Sequence, residues 1–159
     1  MDTLLQQKIE RLRKLDHDIP HKMEWVSEWN GTPIINDSKS SDMESSMYAL
    51  EQIDGKVVWV MGSPSWEYDY EPIQEWMAQE KVAVFMFGEK NNYVESELAP
   101  HARTFDHRPT LEEVLSEVKN FISEFEGYTV LFSPASTTFD LYESFRERGA
   151  HFKSLIQNW

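Results

Sequence analysis

The chain has 159 residues, a length that fits one domain, and its 40% hydrophobic and 13% aromatic content excludes an intrinsically disordered protein. It contains no cysteine, which excludes disulfide bonds and zinc sites with thiolate ligands. The formal net charge of −13 repels nucleic-acid and lipid phosphates, so we expect neither a nucleic acid nor a membrane as partner.

The N-terminal segment carries no targeting or membrane signal. It mixes charged residues with leucines at helical spacing, unlike the apolar core of a signal peptide. No stretch of the chain approaches the roughly 20 apolar residues of a transmembrane helix. We therefore expect a cytoplasmic protein.

The first predicted elements are a helix and a β-hairpin. A helix is predicted over 2–15, because one of its faces carries the apolar residues Leu5, Ile9 and Leu12. Two short strands, over 22–29 and 32–36, follow it. Asn30 and Gly31 lie between them, and this dipeptide predicts a tight turn because both residues tolerate positive φ.

Three continuous apolar runs predict strands that are buried on both faces of a parallel sheet. These runs are Val57–Met61, Val82–Phe87 and Thr129–Phe132. Helical segments alternate with the runs, which indicates an α/β fold. Ligands of open α/β sheets bind outside the carboxyl ends of the strands, so the loops that follow the strands are the candidate sites.

Several helices are predicted after the hairpin. Two of them, near 42–53 and over 111–124, begin with residues at the spacing of a capping box. In such a box two side chains satisfy free N–H groups at the start of the helix. The box residues are Ser41 with Glu44 and Thr110 with Glu113. Two closing helices are predicted over 139–147 and 150–157.

The loop from Ile35 to Asp42 leads from a strand into a helix. Free N–H groups and the helix dipole favour an anion there, and Lys39 adds a full positive charge. This loop therefore indicates a site for a carboxylate or a phosphate. The alternative is a solvated Lys39 beside residues that only cap the helix, namely Asp37, Ser38 and Ser41.

Two further loops follow buried strands. The loop from Ser133 to Phe139 carries four hydroxyl side chains, which either satisfy free N–H groups or hydrogen-bond an anion. The loop from Met61 to Tyr70 gathers aromatic residues around two acidic ones, so it offers an aromatic surface to a ligand or partner. This last loop has no cation with which to hold an anion.

Other kinds of chemistry find little support. The sequence contains no Gly-x-x-x-x-Gly-Lys-Ser/Thr loop for ATP phosphates. It also lacks Gly-x-Gly-x-x-Gly, which counts against a generic nucleotide-binding domain. His17 and His21 are four residues apart, but Pro20 interrupts the helix that would align them as metal ligands. We expect no metal site and no catalytic residue in this chain.

Four segments match motifs of a known family in the same order. They are Pro20–Glu24, Ile35–Lys39, Phe132–Asp140 and Arg148–Phe152. They look like Pro-His-Arg-x-Glu, Asn-Asp-Ser-Lys, Leu-Ser-Pro-Ala-x-Ala-Ser-Phe-Asp and Arg-Gly-x-x-Phe of the Mur ligase family. The chain thus resembles the C-terminal domain of these cell-wall enzymes, in particular the D-glutamate-adding type, over about residues 7–157.

The resemblance implies a Rossmann-like three-layer α/β domain with helices on both faces of a mostly parallel mixed sheet of about six strands. It implies one domain over 1–159, with a leading helix and connection over 1–19 and an α/β body over 20–159. The family's central ATPase domain and its N-terminal UDP-binding domain are absent from these 159 residues.

The family reaction adds D-glutamate to UDP-N-acetylmuramoyl-L-alanine with ATP and Mg²⁺, through an acyl phosphate. The implied task of a C-terminal domain is to bind the amino acid and close over the ATP site. The implied ligand is D-glutamate or a related small acid, and the implied partners are ATP-binding Mur domains in cis or in trans. By resemblance the substrate-binding positions are Lys39, Ser41, Thr138, Phe139 and Phe145.

One loop departs from the family pattern. The family's Gly-Gly-x-x-Lys-Gly is here Gly62, Ser63, Pro64, Ser65, Trp66 and Glu67. One positive charge is lost at Trp66 and one negative charge is gained at Glu67, and Asp42 replaces a family asparagine nearby in the other loop. A charge-assisted hydrogen bond contributes about 1.5–3 kcal/mol, so we expect D-glutamate to bind at least about tenfold more weakly. A stand-alone relative that binds or regulates without ligase activity therefore remains the alternative.

Overall fold

The computed structural model describes residues 6–7, 9–12, 19–64, 67–78, 81–138 and 141–159. Its centre is one sheet of six strands, β1 (Glu24–Trp29), β2 (Thr32–Asn36), β3 (Lys56–Gly62), β4 (Val82–Phe87), β5 (Phe105–Arg108) and β6 (Tyr128–Phe132). The spatial order is β1-β2-β6-β3-β4-β5. β1 is antiparallel to β2 and every other neighbouring pair is parallel. The predicted mostly parallel mixed sheet is thus confirmed.

The predicted hairpin is confirmed at its turn. Asn30 and Gly31 have φ angles of 48° and 84°, as a tight turn between antiparallel strands requires. β1 begins at Glu24 and not at residue 22, because Met23 has a positive φ of 46° and so lies outside the strand conformation.

The helices with complete bounds are α1 (Met43–Glu51), α2 (Glu71–Met77), α3 (Asn92–Leu98), α4 (Leu111–Glu124) and α5 (Phe145–Gln157), and a 3-10 helix covers Ala99–His101. Residues 6–7 and 9–12 are also helical and belong to the helix predicted over 2–15. Its residues Ile9 and Leu12 are buried as predicted, whereas Leu5 and the other members lie outside the described residues.

The N-cap of α1 differs from the prediction. Asp42 occupies the cap position in an extended conformation, and its Oδ1 accepts a hydrogen bond of 2.7 Å from the Ser45 amide. The capping box predicted for Ser41 and Glu44 is therefore wrong by one residue. A carboxylate caps at least as well as a hydroxyl, which leaves the Ser41 side chain for other contacts.

α4 has the bounds that the sequence predicts. Thr110 Oγ1 accepts from the Glu113 amide at 3.1 Å, as an N-cap should. The Thr110 hydroxyl also lies 3.1 Å from the Glu113 carboxylate. The apolar face is buried through Leu111, Val114, Leu115, Val118 and Ile122.

The two closing helices predicted over 139–147 and 150–157 are wrong. A single helix, α5, runs through Gly149 without a break, and Ser144 caps it by accepting from the Glu147 amide at 3.1 Å. Residues 141–144 are not helical. A glycine such as Gly149 often marks the end of a helix in a sequence. Here Gly149 lies within the helix and is buried against His21, where a Cβ atom would overlap the ring.

Two apolar clusters cover the two faces of the sheet. One packs the sheet against α1, α2 and α3, and the other packs it against α4 and α5. Alternate residues of β3 belong to different clusters, as the period of a strand requires, with Trp59 in the first and Val60 in the second. The predicted three-layer arrangement is confirmed. Within the described ranges, no helix has the length and apolar character needed to cross a membrane.

Candidate functional site at the carboxyl edge of the sheet

The strands β2 to β6 are parallel and end at the same edge of the sheet, which we call the carboxyl edge. The chain leaves β3 towards α2 and leaves the neighbouring β6 towards α5, and these helices lie on opposite faces. The two loops therefore diverge. In open α/β sheets a crevice of this kind is where ligands bind.

A cavity of about 640 Å³ lies at this divergence, and we call it the edge cavity. Its volume is within the range of small-molecule sites. Loops that follow β3, β4, β5 and β6 line it, together with the first turn of α5. The residues that matter below are Gly62, Ser63, Lys90, Thr137, Tyr142 and Arg148.

Gly62 allows the loops after β3 and β6 to touch. Its amide donates a hydrogen bond of 2.7 Å to the carbonyl of Pro134. A Cβ atom at this position would overlap Ser136 Oγ. The floor of the edge cavity therefore depends on a residue without a side chain.

Arg148 lines the edge cavity, but its donors are already used. Its side chain is 1% exposed. Nε donates to Ser38 Oγ at 3.0 Å. Nη1 donates to the carbonyls of Ser136 and Thr137 at 2.8 and 3.5 Å. Nη2 donates to the Ser38 carbonyl at 2.5 Å and to Ser41 Oγ at 3.4 Å. Five N–H groups thus meet five acceptors. Arg148 joins the loops and is not free to bind a ligand, and burial lowers its pKa to about 10.

Asp37 links the loops that follow β2 and β6 to the segment before β1. Its carboxylate accepts from the Met23 amide at 3.1 Å and from the hydroxyls of Ser40 and Ser133 at 2.6 and 2.7 Å. Burial raises the pKa of this carboxyl, although these hydrogen bonds act in the opposite direction. The interpretation of Asp37 and Ser38 as helix caps is wrong, because Asp37 accepts from the Met23 amide and Ser38 donates to the Phe145 carbonyl at the start of α5.

His21 anchors the start of β1 against α5. Its Nδ1 lies 2.8 Å from Asn36 Nδ2, which also donates to Glu24 at 2.9 Å. The amide can only donate, so Nδ1 is the acceptor and the ring is neutral. Burial lowers the pKa of His21, and the positive charge of Lys153 acts in the same direction.

The lowered pKa of His21 predicts a loss of stability in mild acid. Above its ordinary pKa of 6.5 the ring is neutral in the folded and unfolded states. As the pH falls below that value, the unfolded chain takes up a proton that folded His21 resists, so the free energy of unfolding decreases by at most about 1.4 kcal/mol per pH unit. Urea unfolding of wild type and His21→Gln between pH 7.5 and 5.5 measures this contribution.

We expect the pH slope to be smaller in His21→Gln than in wild type. The matched control His101→Gln replaces an exposed histidine and should keep the wild-type slope. Equal slopes in wild type and His21→Gln would contradict the neutral, buried state of His21.

The proposed glutamate-binding positions are distributed over two places. Lys39 is exposed and lines a second cavity of about 450 Å³, together with Lys22, Glu44 and Tyr48. Gly62 and Ser63 of the diverged loop line the edge cavity instead. Exposed Glu67 belongs to the same loop, and Trp66 lies outside the described residues.

Three other predicted positions surround Arg148 and its neighbours. Ser41 Oγ is a contact of Arg148, as described above. The Phe145 carbonyl accepts from Ser38 Oγ at 2.8 Å, and the Thr138 carbonyl accepts from the Tyr142 amide at 2.8 Å. Their side chains are half-buried. Phe139 lies outside the part of the chain that the structure describes.

The sequence did not predict Lys90, Tyr142 or Arg148 as members of this site. Arg148 had a detectable signal, because it shares a helical face with Phe152 and Ile156 at positions i+4 and i+8, and all three are buried. An arginine on an apolar face indicates a buried hydrogen-bond network. Tyr142 Oη lies 2.7 Å from His151 Nδ1, and burial raises its pKa to about 12. Lys90 is an exposed lysine with no special signal.

The described residues include no group of three or more His, Asp or Glu side chains that is arranged to hold a metal ion. His17 of the candidate pair lies outside these residues, and Nδ1 of His21 is occupied by the Asn36 amide.

Comparison with known proteins gives a consistent set of relatives, although no family model matches the chain. The chain is 32% identical to the UDP-N-acetylmuramoylalanine–D-glutamate ligase of Salinibacter ruber over 139 aligned residues. This alignment covers 87% of the chain and 30% of that enzyme. The enzymes of the same name from Prochlorococcus marinus MIT 9312 and Chlorobium phaeobacteroides are each 31% identical over 87% of this chain and over 30% and 29% of their own length.

The chain thus spans about 30% of the length of these curated relatives. The described fold has the three layers that the motif resemblance implies. The resemblance read from the motifs is therefore confirmed: the chain is similar to the D-glutamate-adding Mur ligases over a segment the size of one domain, as expected of their C-terminal domain.

Proposed function

We propose that the chain acts as the C-terminal, amino-acid-binding domain of a peptidoglycan-precursor ligase that adds D-glutamate to UDP-N-acetylmuramoyl-L-alanine. The observation that carries this proposal is the similarity to D-glutamate ligases along 87% of the chain. The crevice at the carboxyl edge supports it, because α/β domains bind small ligands in that place. The protein would work in the cytoplasm, where the nucleotide-linked precursor is made.

The chain is not expected to form an amide bond alone. Its 159 residues contain no phosphate-binding loop, so ATP and Mg²⁺ would be held by ATP-binding Mur domains in cis or in trans. Those domains would activate the precursor carboxylate as an acyl phosphate. This domain would hold D-glutamate so that its amine reaches the activated carbon, which lowers the barrier through orientation.

The glutamate pocket is proposed to be impaired. Arg148 has no spare donor, so the cations that the two cavities offer to two ligand carboxylates are the exposed Lys22, Lys39 and Lys90. The diverged loop supplies Trp66 and Glu67 where the family has lysine and glycine. The dissociation constant of the wild-type chain for D-glutamate should therefore exceed about 1 mM, which corresponds to a binding free energy weaker than about −4 kcal/mol.

Restoring the family residues should restore the affinity. In Trp66→Lys/Glu67→Gly, one cation is regained and one anion is removed, so D-glutamate should bind at least about tenfold more tightly, on the basis of one charge-assisted hydrogen bond. Isothermal titration calorimetry of both proteins with D-glutamate, with L-glutamate as the stereochemical control, measures the gain.

The matched control uses Lys39, which the family resemblance assigns to the substrate. Lys39→Met in the Trp66→Lys/Glu67→Gly background should remove most of the gain, whereas Lys56→Met, a distant exposed lysine at the start of β3, should leave it intact. A submillimolar dissociation constant of the wild-type chain for D-glutamate would contradict the proposal of an impaired pocket.

The alternative function is a stand-alone binding or regulatory protein without ligase activity. The specific observation in its favour is that Lys39 lines one cavity whereas Gly62 and Ser63 line another. A complete D-glutamate ligase encoded elsewhere in the same genome would support this alternative. Failure of Trp66→Lys/Glu67→Gly to gain affinity would do the same.

A further inference from the structure

We propose that the exposed side of α1 is a docking surface for an arginine-bearing, apolar segment of a partner protein. This inference does not depend on glutamate binding: the surface shares no lining residue with the edge cavity, and it shares only Glu44 and Tyr48 with the cavity of Lys39. The surface is a groove of about 450 Å³ between α1 and the segment that enters α2, and we call it the α1 groove.

The floor of the α1 groove is apolar and deformable. Met43 and Met47 lie one helical turn apart on α1, and Pro72 and Ile73 of α2 face them across the groove. Methionine side chains are unbranched and polarisable, and they are frequent on surfaces that accept varied apolar side chains. The volume suits one or two anchoring side chains of a peptide, not a whole domain.

Tyr48 gives the groove an aromatic wall that is open to solvent. It is 62% exposed, the largest value among the exposed large hydrophobic side chains of the described residues. A ring in this position gains most from a planar cation stacked on its face. Arginine suits that contact better than lysine, because its guanidinium is flat and more weakly hydrated.

The rim of the groove determines the charge of its occupant. Glu44, Glu51 and Asp69 line it, and no lysine or arginine does. None of these three carboxylates forms a salt bridge with another described residue. Glu44 and Glu51 flank Tyr48 on the same helix at i−4 and i+3 and so lie beside the ring. An arginine stacked on Tyr48 would therefore meet carboxylates on both sides.

Cations lie near both ends of the groove. Arg11 donates to the carbonyl of Gln52, next to Glu51, and pairs with Asp54. Lys22 and Lys39 line the neighbouring cavity, which shares Glu44 and Tyr48 with the groove. A basic segment would be repelled by Lys22 and Lys39, so it should lie towards Glu51 and Asp69, where Asp54 offsets the charge of Arg11. The net charge of −13 further favours a basic partner over an acidic one.

The test uses the full chain with ¹³C-labelled methionine methyl groups and two fluorescein-labelled hexapeptides. One peptide alternates leucine with arginine, and the other alternates leucine with glutamate. We expect the arginine peptide to shift the NMR signal of Met47 in a saturable way, and to a smaller extent that of Met43, which is 5% exposed. The signals of Met61 and Met86, which do not line the groove, should stay unchanged. The glutamate peptide should shift none of them.

Two matched variants separate the groove from general acidity. Glu44→Gln/Glu51→Gln should weaken binding of the arginine peptide by about tenfold, measured by fluorescence polarisation, on the basis of one or two charge-assisted contacts. Glu112→Gln/Glu124→Gln removes two exposed carboxylates from α4, on the opposite face, and should change the affinity by less than about twofold.

Several outcomes would overturn the proposal. They are equal affinity of the two double variants, equal binding of the two peptides, and no methionine shift with millimolar arginine peptide. A shift of Met43 and Met47 that depends on protein concentration without peptide would identify a second copy of the chain as the occupant.

Discussion

Replacing Arg148 by methionine should lower the free energy of unfolding by about 3 kcal/mol or more. The variant loses the hydrogen bonds to the carbonyls of Ser38 and Ser136, and each buried acceptor left unsatisfied costs about 1–3 kcal/mol. Methionine fills much of the space and removes a buried charge, so the loss should be smaller than the sum over all five contacts.

The matched control is Arg146→Met, two residues away on the same helix. Arg146 is exposed, and its guanidinium lies 4.7 Å from the centre of the Phe145 ring. A surface change of this kind should alter the unfolding free energy by about 0.5 kcal/mol or less. Urea unfolding monitored by tryptophan fluorescence compares the two variants, and equal small effects would show that Arg148 does not join the loops.

Replacing Gly149 by alanine should destabilise the protein by about 1–3 kcal/mol, as overpacking of a buried site does. The expectation from helix propensity has the opposite sign, because alanine is favoured over glycine by about 1 kcal/mol within a helix. Here a Cβ would overlap His21 Nδ1 and lie 2.8 Å from Cε1. The ring cannot move aside easily, because Nδ1 accepts from Asn36 and the ring packs edge-on against Phe145.

A double-mutant cycle tests the cause of that destabilisation. In a His21→Ala background the obstacle is gone, so Gly149→Ala should become neutral or stabilising. Ser154→Ala, at an exposed position of the same helix, reports the effect of alanine without overlap and should stay within about 0.5 kcal/mol. The packing explanation would be wrong if Gly149→Ala had the same effect in both backgrounds.

The buried part of the fold was predictable from local patterns. Each continuous apolar run forms a central parallel strand, because such a run has no polar face to expose. The Asn30-Gly31 turn and the α4 helix were also predictable from short-range patterns. In each case one short-range constraint, positive φ or an apolar stripe, was strong enough to determine the element.

Elements that depend on distant contacts were not predictable. β5 has the sequence Phe-Asp-His-Arg, is half-buried and pairs only along one edge, so it carries no apolar run. α5 continues through Gly149 because of packing on His21, which is far away in the sequence. The network of Arg148 joins residues 110 positions apart. Periodicity reports on none of these contacts.

The motifs that carry the family resemblance mostly build the framework of the site. His21, Asp37, Ser133 and Arg148 are buried and hydrogen-bonded to loops at the carboxyl edge. Such residues keep a fold recognisable while the ligand-facing positions change. The diverged 62–67 loop, in contrast, supplies residues to the edge cavity itself. We propose that the framework and the ligand specificity of this chain are determined by different residues.

We propose that a small acid binds at the carboxyl edge of the sheet. A crystal structure of Trp66→Lys/Glu67→Gly soaked in D-glutamate tests it most directly. We predict density for one glutamate beside the loops that follow β2, β3 and β6, within hydrogen-bond distance of the introduced lysine. Density for glutamate at another place, or no density for glutamate after a saturating soak, would contradict binding at the carboxyl edge.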